Sequence, residues 1–599
     1  MAHRTRDRVL RVDLSDGTVR RERVPQSWRR RFVGGKGLGA RYLYRDVPAG
    51  ADPLGPENVL GFMLGPLSGY LPGESRYAAV TKSPLTGAFL DSYSGGEFPD
   101  RLAGALADCL GLLVAGRASD PVAIEVENGT ATVEPADCWG EDAVSTDERY
   151  PDAAVACVGP AGERTVSYAT IASDGGDHHA GRGGAGTVMG AKRLKAVVAR
   201  GEPPEGLPRL REAYDEAYRE HDTGRWQAAG ATIESVDFAN EVGVLPTRGW
   251  QTSQFDGASD IGVEAARAAA MGRERDGAVP GGFRVETDDG ESVPRGATPM
   301  TLGAGLGIDE FDAVATLGAA CDRLGVDVID AGSAVAWAMR ASEDGLVERD
   351  LAFGDAAGAR DLLEEIAHRR GPLGDALADG VEAAAERFGG GDRIPTVKSM
   401  ALPAYDPRGA VAMALAYATS DRGGCHRRAR PIEREVFAAD SWDADDRVTA
   451  VVDAQDARSV LWSLVVDDFA GETLREDLGA EWLSAVGLSY DPDDLRTAGE
   501  RIWTLVRLFN AREGFARDDD RLPQLLREPL ADGPAAGRAL DPDGFERLLD
   551  AYYAARGWSP DGVPARRTVE RLGLDGVVDA DTPVADTVAV DPTEVASGD

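Results

Sequence analysis

Lysine is nearly missing from this chain. Of 65 basic residues only Lys36, Lys82, Lys192, Lys195 and Lys398 are lysine, and the rest are arginine. Cysteine is scarce too: Cys109, Cys138, Cys157, Cys321 and Cys425 are odd in number, far apart and never spaced Cys-x2-Cys. That pattern argues against a disulfide scaffold and for reduced thiols in a cytosol. No stretch approaches the ~18 uninterrupted apolar residues of a membrane span. The opening MAHRTRDRVLRVDLSDG also lacks the apolar segment of a signal peptide. A cytoplasmic protein without a membrane partner is expected.

What is abundant is acid: 102 Asp and Glu set against 65 Lys and Arg give a formal charge of −37. The acid is spread along the whole chain, which suits a high-salt cytosol, where a Debye length of ~3 Å screens self-repulsion. The same charge excludes a nucleic-acid partner. At 599 residues the chain exceeds a single core, and two to four domains are expected.

Apolar alternation around Asp16-Gly17 and Asn128-Gly129 predicts hairpins, and glycine-punctuated β texture continues to about residue 200. Beyond 207, segments such as LPRLREAYDEAYREHD, IDEFDAVATLGAACDRLG and AGERIWTLVRLFNAREG carry apolar residues at helical spacing. The reading is an α+β fold: a β-rich N-terminal domain (1–206), two mainly helical domains (207–398 and 399–574), and an acidic, disordered tail (575–599).

Three segments could carry chemistry. Arg76 lies near DSYSGG, which ends in Gly95 and Gly96, and Arg182 sits among Gly183 and Gly184. Glycines let amides approach a phosphate and arginine grips it, although either segment alone reads equally as a turn. GRGGAGTVMGAK is not a Walker A loop, because its lysine is followed by Arg193. CDRLGVDVIDAG reads as a helix end capped at Gly325. In YATSDRGGCHRR, Cys425 and His426 are adjacent and point in different directions, which disfavours a catalytic dyad. No second ligand at metal spacing is present either, so a turn that presents His426 to a ligand remains, with Cys425 as packing.

Taken in order, GGKGLGARYL, GPLSGYLPGESRYAAVTKSPLTG, DSYSGG, VGPAGE, GRGGAGTVMGAKRLKAVV, CDRLGVDVIDAG and YDPRGAVAMALAYATSDRGGCHRR resemble the tungsten-dependent aldehyde ferredoxin oxidoreductases. The resemblance implies an oxidoreductase of aldehydes or related small carbonyl compounds, with tungsten (or molybdenum) held by two pterins and Mg2+ at their phosphates. It also implies ferredoxin or another redox partner, and a homodimer. By the same resemblance Arg76, Tyr93, Gly95, Gly96, Arg182, Gly183 and Gly184 face the pterins and their phosphates. Asp322, Gly325, Val326 and Asp327 match the first pterin motif, and His426 the histidine near the metal, where it binds substrate or moves a proton.

The sequence departs from the family where a [4Fe–4S] cluster is expected. The three grouped cysteine positions are taken by Asp276, Val279 and Phe283, and the fourth by Asp467, so no thiolate is left to hold iron. Asp276 and Asp467 could hold a hard cation or simply be solvated. In the second pterin motif Trp462 replaces an aspartate and Val465 a glycine, and in DSYSGG Tyr93 replaces an asparagine. Arg295 and Ala297 stand where an acid near the metal is expected, with Glu291 nearby. Two expectations follow: a cluster-free oxidoreductase, or a paralogue that keeps the fold without turnover.

Overall fold

The structure, a computed structural model, describes residues 6–71, 74–403, 405–438 and 441–589. Strands dominate the first third and helices most of the remainder, the α+β order read from the sequence. The first sheet comprises β1 (Arg8–Asp13), β2 (Thr18–Arg23), β3 (Leu60–Met63), β4 (Tyr77–Lys82), β5 (Phe89–Ser94) and β6 (Cys109–Ala115). They run in the order β2-β1-β6-β3-β4-β5. The Asp16-Gly17 turn closes β1 on β2, with Asp16 accepting the Thr18 amide at 2.9 Å. The edge strand β2, TVRRER, is largely exposed and charged, which discourages pairing with another chain. A second sheet contains β7 (Val122–Glu127), β8 (Thr130–Pro135), β9 (Ala154–Cys157), β10 (Ile171–Ser173), β11 (His178–Ala180) and β12 (Leu194–Ala199). Its order is β11-β10-β9-β12-β7-β8. Asn128 and Gly129, both at positive φ, form the β7–β8 turn.

Strand alternation decides which face meets which layer. Leu60, Phe62, Tyr77, Ala79 and Leu90 pack toward Ile124, Val197 and the second sheet. Their neighbours Met63, Ala78, Val80, Phe89 and Tyr93 face helices on the other side. Those helices are α1 (Gly35–Asp46) and, from the far end of the chain, Pro492–Arg512. α1 can lie this close because its first turns are glycine-rich: a Cβ at Gly39 would sit 2.7 Å from Val80 Cγ2. The remaining helices relevant to the site are α2 (Pro208–Glu220), α3 (Phe311–Leu324), α4 (Val328–Glu343), α5 (Val411–Ala418), α6 (Ala444–Leu464), α7 (Pro492–Arg512) and α8 (Pro542–Arg556). Gly325 closes α3 in the left-handed conformation, φ 74°, and Asp327 caps α4 by accepting the Asp330 amide.

All five lysines lie inside. Lys36 pairs with Asp91 and Asp421, Lys82 with Glu513, Lys195 with Glu163 and Lys398 with Asp520, each lysine side chain at most 6% exposed. Lys192 donates instead to the carbonyls of Asn58 and Gly116, and burial pulls its pKa down to about 8. No helix among the described residues is long and apolar enough to cross a membrane.

The expected disordered tail is corrected over 575–589, and 590–599 fall outside the described residues. Val577, Val578 and Val584 pack against the core that holds Tyr44, Phe509 and Leu574. Asp579 pairs with Arg512 at 3.1 Å, Thr582 bonds Tyr44, and Ala585 pairs with Ala565. The acidic composition hid three valines spaced to reach one groove. Ending the chain at Leu574 should therefore cost about 3 kcal/mol, near 1 for each half-buried valine. Denaturant unfolding in high salt checks this; an unchanged midpoint would show the docking to be inconsequential.

Candidate active site

The segment after α5, Thr419–Arg428, lies almost wholly inside, so its charges must find partners. Asp421 pairs with Lys36 and with Arg428 Nε at 2.7 Å, and Arg428 also binds the Asp91 carboxylate. Arg422 donates to the Asp91 carbonyl at 2.8 Å and to Cys425 Sγ at 3.1 Å. Burial resists ionisation of the Cys425 thiol, but Arg422, Arg428 and Arg182 outweigh it and bring the pKa down to about 7. Cys425 is fully buried, as the packing reading expects, and its sulfur also accepts from Arg422.

Arg182 reaches across from the glycine loop before residues 185–191. It donates to the Gly424 carbonyl at 2.7 Å and the Ala401 carbonyl at 2.5 Å, and pairs with Asp330 at 3.1 Å. Its Nε lies 3.5 Å from Asp327. Burial and the neighbouring Asp330 push Asp327 up to about 7. Gly183 and Gly184, both left-handed, serve close packing: a Cβ on Gly183 would sit 2.5 Å from Leu90 Cδ1. Val326 is buried and bridges Ala169, while Asp322 stays part-exposed beside His179 at 3.3 Å.

Beside this hub His426 packs edge-on to Tyr405, ring centroids 5.9 Å apart, and its Nδ1 is buried without a hydrogen-bond partner among the described residues. Burial and the charges of Arg427, Arg430, Arg182 and Arg422 hold its pKa well below the usual histidine range, so the ring is neutral. Arg422 Nε and Asp330 Oδ2 are likewise buried without a hydrogen-bond partner among the described residues, and Arg182 Nε has no contact closer than its 3.5 Å ion pair with Asp327. Four such atoms grouped beside one another suit a polar ligand.

The opposite side is already satisfied. Arg76 is held by Asp467 (2.5 Å) and Glu74 (2.9 Å). Glu74 accepts the Gly96 amide at 3.1 Å and meets His178 Nδ1 at 2.9 Å. His178 Nε2 meets Glu274 at 3.0 Å, and Glu274 holds Arg295 at 2.6 Å. The arginine and glycines expected to grip phosphate are here engaged by carboxylates. A Cβ at Gly95 would strike Glu74, and one at Gly96 would strike Asp174. Tyr93 donates to Asp91 at 2.5 Å and lies against Trp462, ring centroids 5.0 Å apart.

The positions assigned to the missing cysteines do not assemble. Asp276 is exposed, Val279 packs with Tyr214 and Tyr218, and Phe283 lies in a different core beneath Arg273. Of the four, Asp467 is the one that reaches the site, on Arg76. Glu291 pairs with Arg284 at the surface rather than facing the site. No group of three or more His, Cys, Asp or Glu among the described residues is arranged to hold a metal ion. Sequence reasoning missed Glu74, His178, Glu274 and Asp330; a lone Asp inside the apolar strand FLDSYS was the one local sign of buried charge.

The family model for the N-terminal domain of aldehyde ferredoxin oxidoreductase matches residues 9–201, and that for its domains 2 and 3 matches 209–574. The chain belongs to the aldehyde ferredoxin oxidoreductase family. The tungsten-containing aldehyde ferredoxin oxidoreductase of Pyrococcus horikoshii is 33% identical, across 95% of this chain and 98% of its own. That of Pyrococcus furiosus is 34% identical over the same shares. Among solved structures, the active-site complex BamBC of benzoyl coenzyme A reductase with 1,5-dienoyl-CoA shares the fold, at TM-score 0.80 and 22% identity, covering 96% of this chain and 98% of that one. The chain is an aldehyde ferredoxin oxidoreductase-like enzyme.

Within this family member the Glu74–His178–Glu274 triad yields a pH test. Burial alone would strip His178 of its proton, but Glu74 and Glu274 outweigh it and push the pKa from 6.5 to about 9. A pKa raised on folding stabilises fully below the unfolded value and is lost as pH rises through the folded one. The triad's contribution is therefore complete near pH 6 and gone above pH 9. His178→Ala should cost about 3–5 kcal/mol at pH 6, because it leaves two buried carboxylates unpaired. Denaturant midpoints at pH 6 and 9.5 check this; equal pH dependence in wild type and variant would refute it.

Proposed function

We propose that this enzyme oxidises an aldehyde or a related small carbonyl compound at a tungsten (or molybdenum) pterin centre, without the [4Fe–4S] cluster. The observation that carries the reading is the gathering, beside the capped start of α4, of buried atoms of Arg182, Asp330, Arg422 and His426 that lack hydrogen-bond partners among the described residues. Arg182, Arg422 and Asp327 are the residues that would hold such a cofactor. When bound, the metal–pterin centre supplies a two-electron acceptor.

The chain's own residues supply the rest. Oxidation of an aldehyde with water to a carboxylic acid releases two electrons and two protons. His426, kept neutral by its arginine neighbours, has a free ring nitrogen to take one of those protons. Because its pKa lies below the usual range, it stays available as a base under mildly acidic conditions. Arg427 and Arg430 then disfavour keeping the proton, which promotes its release. Asp467, bound to Arg76, offers no thiolate, which supports an electron route other than the cluster, through ferredoxin or another redox partner.

Elemental analysis of protein purified anaerobically in high salt is expected to find tungsten or molybdenum near stoichiometric, with iron and acid-labile sulfide absent. Iron and sulfide would overturn the cluster-free reading. Absence of both heavier metals, from a host able to make the cofactor, would favour the paralogue without turnover. His426→Ala should retain the metal and lower turnover ~100-fold or more, in line with loss of a general base; equal activity would remove the assigned role.

A further inference from the structure

The two sides of the site differ in a way that bears on how many pterins it takes. On one side the polar atoms of an aromatic pair both have partners. Tyr93 and Trp462, 3% and 1% exposed, lie ring against ring, tilted by 31°. The Tyr93 hydroxyl donates to Asp91, and the Trp462 indole N–H donates to Asp468 Oδ1 at 2.8 Å. The Arg428 guanidinium lies 4.6 Å from the centre of the Trp462 ring, and Lys36 Nζ 5.6 Å from it. Asp468 is held in turn by Arg427 at 2.5 Å. Three residues after Trp462, Val465 keeps the left-handed turn at φ 53°, which a β-branched side chain adopts only at a cost of about 1–3 kcal/mol. The turn is preserved, but an apolar side chain stands where the family has glycine.

On the other side Arg182 and Arg422 are 5% and 2% exposed; Arg422 Nε, Asp330 Oδ2 and His426 Nδ1 have no hydrogen-bond partner among the described residues, and Arg182 Nε has only its 3.5 Å ion pair with Asp327. Inserting a pterin on the first side would separate an aromatic pair, strip two cations from the indole and break the Asp468 hydrogen bond. Inserting one on the second side would supply partners that are lacking. We infer that this chain takes a single pterin per metal, seated between Asp327 on α4 and the Arg422–His426 segment, and that the second seat is closed by Tyr93 and Trp462. This inference rests on the pterin-centre reading above.

The test is a ratio that does not depend on activity. Holoprotein is purified anaerobically, tungsten and molybdenum are counted by mass spectrometry, and the pterin is converted to its fluorescent oxidised form and counted by chromatography. One pterin per metal is expected. Two per metal overturn the single seat while leaving the oxidoreductase reading intact, and neither pterin nor metal overturns both. The double variant Tyr93→Asn, Trp462→Asp, if it folds, should raise the ratio toward two. A folded variant that stays at one overturns the assignment of closure to these rings, and a variant that does not fold leaves the wild-type ratio to decide.

Discussion

Everything around the site hangs on one buried ionic knot. Lys36 and Arg428, both essentially without solvent contact, share Asp91 and Asp421. Two cations and two anions balance, so the knot itself carries no net charge, and each carboxylate is met by more than one donor. Removing any member would leave its partners uncompensated in a low-dielectric interior, which is the costly way to break a buried pair. The knot also fixes geometry. Asp91 sits on β5, Lys36 on α1, and Asp421 and Arg428 bracket the segment carrying His426, so the imidazole is placed by a sheet and a helix hundreds of residues away.

A second set of ion pairs, from Asp467 through Arg76, Glu74 and His178 to Glu274 and Arg295, occupies the side where thiolates are expected. The set fills a buried polar space by alternating acids and bases of the chain's own. The alternation satisfies its members at the expense of openness, because an arginine shared by two carboxylates has little left to offer a phosphate.

Much of the frame was legible locally. The turns at Asp16-Gly17 and Asn128-Gly129, the helix stop at Gly325 and the helical periodicity after residue 207 are written in a few adjacent residues. The ordered motifs carried the family. The pairings that define the site were not legible, because they join residues far apart in sequence: Arg76 and Asp467 are 391 residues apart. His178 showed no partner in the sequence for the same reason. The docked stretch 575–589 was misread because its composition is acidic, whereas its packing is decided by three valines. At Asp276, Val279 and Phe283 the alignment gave the replacements but not their directions, and these three residues part company in space.

The interior placement of every lysine has a chemical consequence. A folded molecule whose lysine side chains all point inward offers acylating reagents no lysine amine at its surface, although it carries dozens of surface arginines. Cross-linkers, biotin esters and aldehyde fixatives that act on lysine would reach it only through openings of the core. For this chain, lysine labelling is a clock for unfolding rather than a map of its surface.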